Sequence, residues 1–170
     1  MRGRPCTCCF TGHRPEKLPW GSDESDPRCV ALKKKLRDAV EAAWDEGMRH
    51  FICGMARGCD FYFAEAVLAL RKARGDVSLE AAVPCPTQAN SWPEEDRVRW
   101  RRLLAECDLE TMVQDHYTPG CMLRRNRYMV DHSALVIAVY DGSEGGTRRT
   151  LEYALRQKVP FVDIHPDGSP

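Results

Sequence analysis

Ile137-Ala-Val-Tyr-Asp-Gly-Ser-Glu-Gly-Gly-Thr147, followed by a helical pattern from Arg148 to Gln157, reads as a buried strand that empties into a glycine loop opening a helix. The apolar run Ala134 to Val139 has strand length and β-branched content, and Asp141-Gly142 breaks it. Gly145-Gly146-Thr147 then lets backbone N–H groups approach an anion at a helix N-terminus, which makes the junction a candidate phosphate site. A second junction of the same kind lies upstream. There His50-Phe-Ile-Cys53 runs into Gly54-Met-Ala-Arg-Gly-Cys-Asp60 and then into the helical pattern Phe61 to Arg74.

Around these junctions strands and helices alternate. Pro5 to Phe10 is a predicted first strand, and Asp26-Pro27 supplies an N-cap and first-turn proline for a helix that puts Leu32, Leu36, Ala39, Val40 and Ala43 on one face before Gly47 ends it. His50 to Cys53 is the second strand, Asp60 to Arg74 the second helix, and Ser78 to Val83 the third strand, closed by Pro84. Ser91-Trp92-Pro93-Glu94 reads as a capping box with its Glu at the third helical position, opening a highly charged helix through about Glu106. Strand Glu110 to Val113, helix Met122 to Asp131, strand Ala134 to Tyr140, helix Arg148 to Gln157 and strand Phe161 to Ile164 complete the chain. This alternation of apolar strands with helices predicts the α/β class, as a three-layer α/β/α Rossmann-like domain with a mostly parallel sheet. We read residues 1–170 as a single domain with loosely held ends at 1–4 and 165–170.

Acidic and basic residues balance at 25 each, so the formal net charge is zero and nothing in it calls for a polyanionic partner or an anionic membrane surface. No apolar run approaches the length of a membrane span. Nine cysteines, an odd number without a secretory leader, point to reduced thiols in a cytoplasmic protein. They read as buried small apolar groups, and neither a metal site nor a cofactor is expected. A redox role for Cys9 or Cys59, near helix N-termini that lower thiol pKa, is an open alternative.

In a parallel open sheet the carboxyl ends of all strands face one rim, where ligands bind. After the first strand comes Thr11-Gly12-His13-Arg14-Pro15-Glu16-Lys17-Leu18, in which Gly12 permits close backbone approach while His13 and Arg14 offer directed donors. A proline-ended turn with two solvated side chains is the plainer alternative. The second loop brings Arg57 and Asp60 beside Gly54 and Gly58, and Asp60 is placed either to grip a sugar hydroxyl or to cap its helix. The spacing is not GxGxxG, which disfavours a plain NAD site. Arg97, Arg99, Arg101 and Arg102 alternate with acidic residues and read as a solvated helix face held by i,i+4 pairs. Arg124, Arg125, Arg127, Arg148 and Arg149 flank the rim, and with Trp92, Tyr128 and Tyr140 they suit either one bound phosphate or a single strand with stacked bases.

Three of these motifs, Thr11–Leu18, Gly54–Asp60 and Tyr140–Thr147, together resemble the YpsA-like branch of the SLOG superfamily, a group of Rossmann-like domains related to the DNA-processing protein DprA and to the Lonely Guy (LOG) phosphoribohydrolases. The resemblance covers nearly the whole chain. It implies binding of a nucleotide or nucleotide-derived sugar phosphate at the rim and a homodimer or higher oligomer. Against the LOG pattern, Met122, Arg125 and Met129 match a helix motif, and alignment on Gly145-Gly146 puts Glu152 at the glutamate of the PGGxGTxxE loop. That alignment implies Arg125 and Glu152 as the pair that would cleave an N-glycosidic bond. The chain departs from the pattern with Glu144 at the proline, Arg148 at the third glycine and Arg149 at the threonine.

The expected function is therefore binding or sensing of a nucleotide-like ligand, with Gly12, His13, Arg14, Gly54, Arg57, Gly58, Asp60, Gly145, Gly146 and Thr147 at the site. A LOG-like phosphoribohydrolase using Arg125 and Glu152 is the enzymatic alternative, and DprA-like single-strand binding, disfavoured by the zero net charge, is the third.

Overall fold

The computed structural model describes residues 4–167, so the expected loose ends fall partly on residues 1–3 and 168–170, outside the described residues. Six strands, β1 (Thr7–Gly12), β2 (His50–Cys53), β3 (Ser78–Val83), β4 (Leu109–Met112), β5 (Leu135–Val139) and β6 (Phe161–Ile164), lie in the order β4-β3-β2-β1-β5-β6. Every neighbouring pair is parallel. The crossovers are α1 (Pro27–Asp45), α2 (Cys59–Arg74), α3 (Glu94–Glu106), α4 (Cys121–Asp131) and α5 (Gly146–Arg156).

Two cores, one on each face of the sheet, make the three layers. Leu32 and Leu36 of α1, Phe63 and Val67 of α2 and Leu103 of α3 share one core with Cys8 and Phe10 of β1. Met129 and Val130 of α4 and Leu151 and Ala154 of α5 share the other with Cys9. Successive residues of β1 thus serve opposite faces, which is why its whole apolar run is buried rather than alternating with polar residues. The chain lays down β1 to β4 in one direction and then returns to place β5 on the other flank of β1. That reversal opens a crevice between the carboxyl ends of β1 and β5.

Three expectations are corrected. β1 starts and ends later than the sequence pattern suggests, because Arg4–Cys6 form a 3-10 turn while the apolar run of β5 keeps pairing with β1 up to Gly12 opposite Val139. The capping box at Ser91 does not form: α3 begins at Glu94 with Pro93 as its N-cap and no side-chain cap. Trp92, held edge-on against Phe61 and Trp100, keeps the preceding residues in a turn instead. The charged face of α3 is also less solvated than expected, since Arg99 binds Glu24 and Glu65 from outside the helix.

The far half of the sheet carries its own polar network. His50 Nε2 lies 2.6 Å from Glu80 Oε2, and Thr111 Oγ1 and the Tyr128 hydroxyl donate to Glu80 Oε1 at 2.8 and 2.6 Å. Burial pushes the Glu80 carboxyl up, but these bonds outweigh it and hold it below the ordinary glutamate range. Its place on the strands is structural, tying β2, β3, β4 and α4 together.

Gly12 is required by packing. A Cβ there would lie 2.7 Å from Phe10 Cζ and 2.9 Å from Cys59 Cβ, both in the core. Gly12→Ala is therefore expected to cost about 1–3 kcal/mol, read as a lower urea midpoint at unchanged slope; an unchanged midpoint would show that the ring and helix can give way.

Candidate functional site

A cavity of about 390 Å³ occupies the crevice between β1 and β5, within the size range of small-molecule pockets. One wall is the end of β1 and its loop, from Phe10 through Arg14 to Lys17. Opposite stand Gly145, Gly146 and Thr147, the N-terminus of α5. The floor is α4, through Met122, Arg125, Asn126 and Met129, with Ala56 and Asp60 at the side.

The α5 entrance is shaped by Gly145, whose φ of +144° is one that side-chain-bearing residues rarely adopt. No side chain caps this helix, so its first N–H groups are left to solvent or to a ligand. Two contacts join the β1 loop to the β5–α5 loop. Lys17 Nζ donates to the Glu144 carbonyl, and His13 Nε2 lies 3.0 Å from Asp141 Oδ1, without the alignment of a hydrogen bond. Burial raises the Asp141 carboxyl, but bonds from Ser143 and the adjacent His13 override it and hold it well below the usual range. Arg14 is exposed and, among the described residues, its guanidinium forms no hydrogen bond or ion pair.

Arg125 is 3% exposed and makes no ion pair among the described residues. Its Nη1 donates to the carbonyls of Gly54 and, at 3.3 Å, of Ala82; its Nε donates to Asn126 Oδ1 at 2.8 Å. Among the described residues its Nη2 donates only to the thioether of Met122, at 3.9 Å. Burial lowers its pKa, and the nearby Asp60 charge partly offsets this. Asp60, 5% exposed, accepts from the Ala56 N–H on Oδ2 at 2.9 Å and so ties down the β2–α2 loop. Burial pushes its carboxyl up to about 6, against the opposing pull of Arg125, the Ala56 bond and Arg14.

The fold thus gathers Gly12, His13, Arg14, Asp60, Arg125, Gly145, Gly146 and Thr147 around one cavity. It sets other expected residues elsewhere. Gly54 makes room for Arg125 rather than for a ligand, since a Cβ there would sit 2.7 Å from the guanidinium carbon. Gly58, at φ +82°, turns into α2 beneath Pro15 and the His13 carbonyl. Arg57 is engaged by Glu16 and Asp96 at 2.8 and 2.7 Å. Glu152 lies on the exposed side of α5, paired with Arg148 at 3.0 Å, and does not line the cavity with Arg125.

The aromatic residues considered for base stacking have internal contacts. Trp92 packs against Trp100, Tyr128 binds Glu80, and Tyr140 lies tilted against His13. Cys9 and Cys59 are both buried, and burial pushes Cys9 up to about 12 and Cys59 well above the ordinary thiol value, opposite to the lowering that a helix N-terminus gives. Lys17 and Asn126 were not singled out from the sequence. Lys17 lies within the quoted first motif, and a lysine five residues after its glycine was the available signal.

An all-parallel sheet with a small-molecule-sized cavity at its switch point defines a Rossmann-like α/β domain. Within that class the chain belongs to the YspA SLOG family (YpsA), whose model matches residues 8–162. It is 31% identical over 157 residues to the SPbeta prophage-derived protein YoqJ of Bacillus subtilis (strain 168), a match covering 84% of this chain and 92% of that protein. It is 25% identical over 158 residues to a UPF0398 protein of Bacillus thuringiensis (strain Al Hakam), covering 91% of this chain and 85% of that one. Among solved structures it is similar to DNA processing protein A from Helicobacter pylori, described for its single-stranded DNA binding mode, with a TM-score of 0.62 at 15% identity over 94% of this chain. DprA from Streptococcus pneumoniae gives a TM-score of 0.60 at 14% identity over 93% of this chain. The chain spans 65% and 50% of the length of these two structures, and the likeness shows the fold.

Proposed function

We propose that the rim cavity binds a nucleotide or nucleotide-derived sugar phosphate, and that the protein is a binding or sensing module. The observation that carries this reading is the convergence of the uncapped α5 N-terminus, Arg14, Lys17 and the buried Arg125 on one cavity. The helix end and its free N–H groups favour an anion. Arg125 forms no ion pair among the described residues and Asp60 offsets only part of the burial of its charge, so a bound anion would supply further counter-charge.

Hydrolysis of a nucleoside 5′-monophosphate is the weaker reading, because Glu152 is paired with Arg148 outside the cavity. Release of free base from AMP by the wild type and not by Glu152→Gln would reinstate it. Single-stranded DNA, which the H. pylori neighbour binds, is the second comparator. Oligonucleotide affinity falling steeply with salt would favour it.

A thermal-shift series with AMP, ADP-ribose and inorganic phosphate tests the leading reading. A ligand at 100 times its Kd stabilises the fold by about 2.7 kcal/mol, a rise of roughly 5–11 °C for a chain this size. Arg14→Ala and Lys17→Ala are each expected to weaken binding roughly tenfold or more, with the ligand-free melting temperature unchanged for Arg14→Ala and slightly lowered for Lys17→Ala, which loses its bond to the Glu144 carbonyl. The absence of any shift across the series would sink the proposal.

A further inference from the structure

Asp60 and Arg125 are nearly fully buried, yet each keeps hydrogen-bonding capacity that the protein does not use. Asp60 Oδ2 takes the Ala56 N–H, whereas Oδ1 accepts no hydrogen bond among the described residues. Asp60 is 5% exposed and lines the cavity. Arg125 is fixed by two carbonyls and Asn126, leaving Nη2 with only a long thioether contact. The two side chains form no ion pair but sense each other's charge.

A fixed acceptor beside a fixed donor suits a group that both donates and accepts. A hydroxyl does this: its proton goes to the carboxylate and its oxygen takes the guanidinium N–H. An amino group would satisfy Asp60 but turn its hydrogens on the arginine. Phe10, Met122 and Met129 add apolar surface against which a ring can lie.

We infer that Asp60 and Arg125 read the ring hydroxyls of a ribose whose phosphate sits at the α5 N-terminus, so that the cavity takes small ribose-phosphate ligands in preference to deoxyribose ones. The inference rests on the phosphate reading above and narrows it. It separates the two comparators as well, since a DNA strand lacks the 2′-hydroxyl that such a site is built to meet. A polar site left unpaired by the deoxy analogue discriminates strongly, by several orders of magnitude in well-shielded sites.

The test is calorimetric titration of the full chain with AMP, with 2′,3′-dideoxy-AMP and with inorganic phosphate, for the wild type and for Asp60→Asn. The wild type is expected to bind AMP at least tenfold more tightly than the dideoxy analogue, and Asp60→Asn to bind the two within twofold of each other. Equal wild-type affinities, or discrimination that survives Asp60→Asn, would overturn the inference and leave the phosphate site standing. If none of the three probes binds the wild type, it is the phosphate reading that falls, and this inference with it.

Discussion

Arg125→Ala is expected to lower the melting temperature by roughly 10 °C and to abolish nucleotide-dependent stabilisation. The carbonyls of Gly54 and Ala82 would each lose a charged donor inside the core, and the missing side chain would leave a void between α4 and the sheet. Against this stands relief from burying a charge. The Gly54 carbonyl keeps the bond it accepts from Gln88 Nε2 at 2.9 Å, but the lost charged donors and the void still outweigh that relief, for a net loss of about 2–4 kcal/mol. Arg125→Met, which refills the volume, should lose less stability and just as much binding. Gly54→Ala attacks the same contact from the other side, because its Cβ cannot coexist with the guanidinium at 2.7 Å. The two substitutions should therefore be non-additive, the double variant costing clearly less than the sum of the singles. Strict additivity in urea unfolding would mean that Arg125 and Gly54 do not share this contact.

Asp60→Asn should act in the opposite sense, stabilising the ligand-free protein by about 2–3 kcal/mol near neutral pH while weakening ligand binding. Burial raises the Asp60 carboxyl to about 6 despite Arg125, Arg14 and the Ala56 N–H, so the ionised form is worse off in the folded chain than in the unfolded one. The resulting penalty is absent below the ordinary aspartate value, grows as pH rises from about 4 to about 6, and is constant above. Asparagine keeps an oxygen for the Ala56 N–H and never ionises. Melting curves of the two proteins should coincide near pH 4 and separate across that window, with the variant on top. A gap of the opposite sign, or one independent of pH, would show that Asp60 is stabilised where it sits. A stability gained by losing a binding group is the pattern expected where a site is held at a cost to the fold.

Much of the architecture was legible because it depends on local chemistry. The short, largely apolar runs at His50–Cys53, Ser78–Val83 and Phe161–Ile164 and the proline after Asp26 mark their elements directly. The capping box at Ser91 failed because the edge-on packing of Trp92 against Phe61 and Trp100 is a tertiary contact that no spacing rule encodes. The rim loops were legible as loops, and their convergence followed from a parallel sheet. What each residue does within them was less so. Gly54 and Arg57 carry the composition of a phosphate loop, but one makes space for an arginine and the other joins α3 to the β1 loop through two carboxylates. Glu152 fell on the family's alignment column, yet Arg148, where the pattern has glycine, pairs with it on the outside of α5.

The partners that join the two loops beside the cavity, Lys17 and Glu144, stand 127 positions apart, and the central strand must wait for β5 before its second flank is covered. During translation the ligand site is thus among the last features to exist, assembled only after most of the chain has left the ribosome. Until then β1 presents a bare edge in the middle of the future sheet, and a chain cut short before Val139 would lack the floor's partner wall as well as the strand that protects that edge.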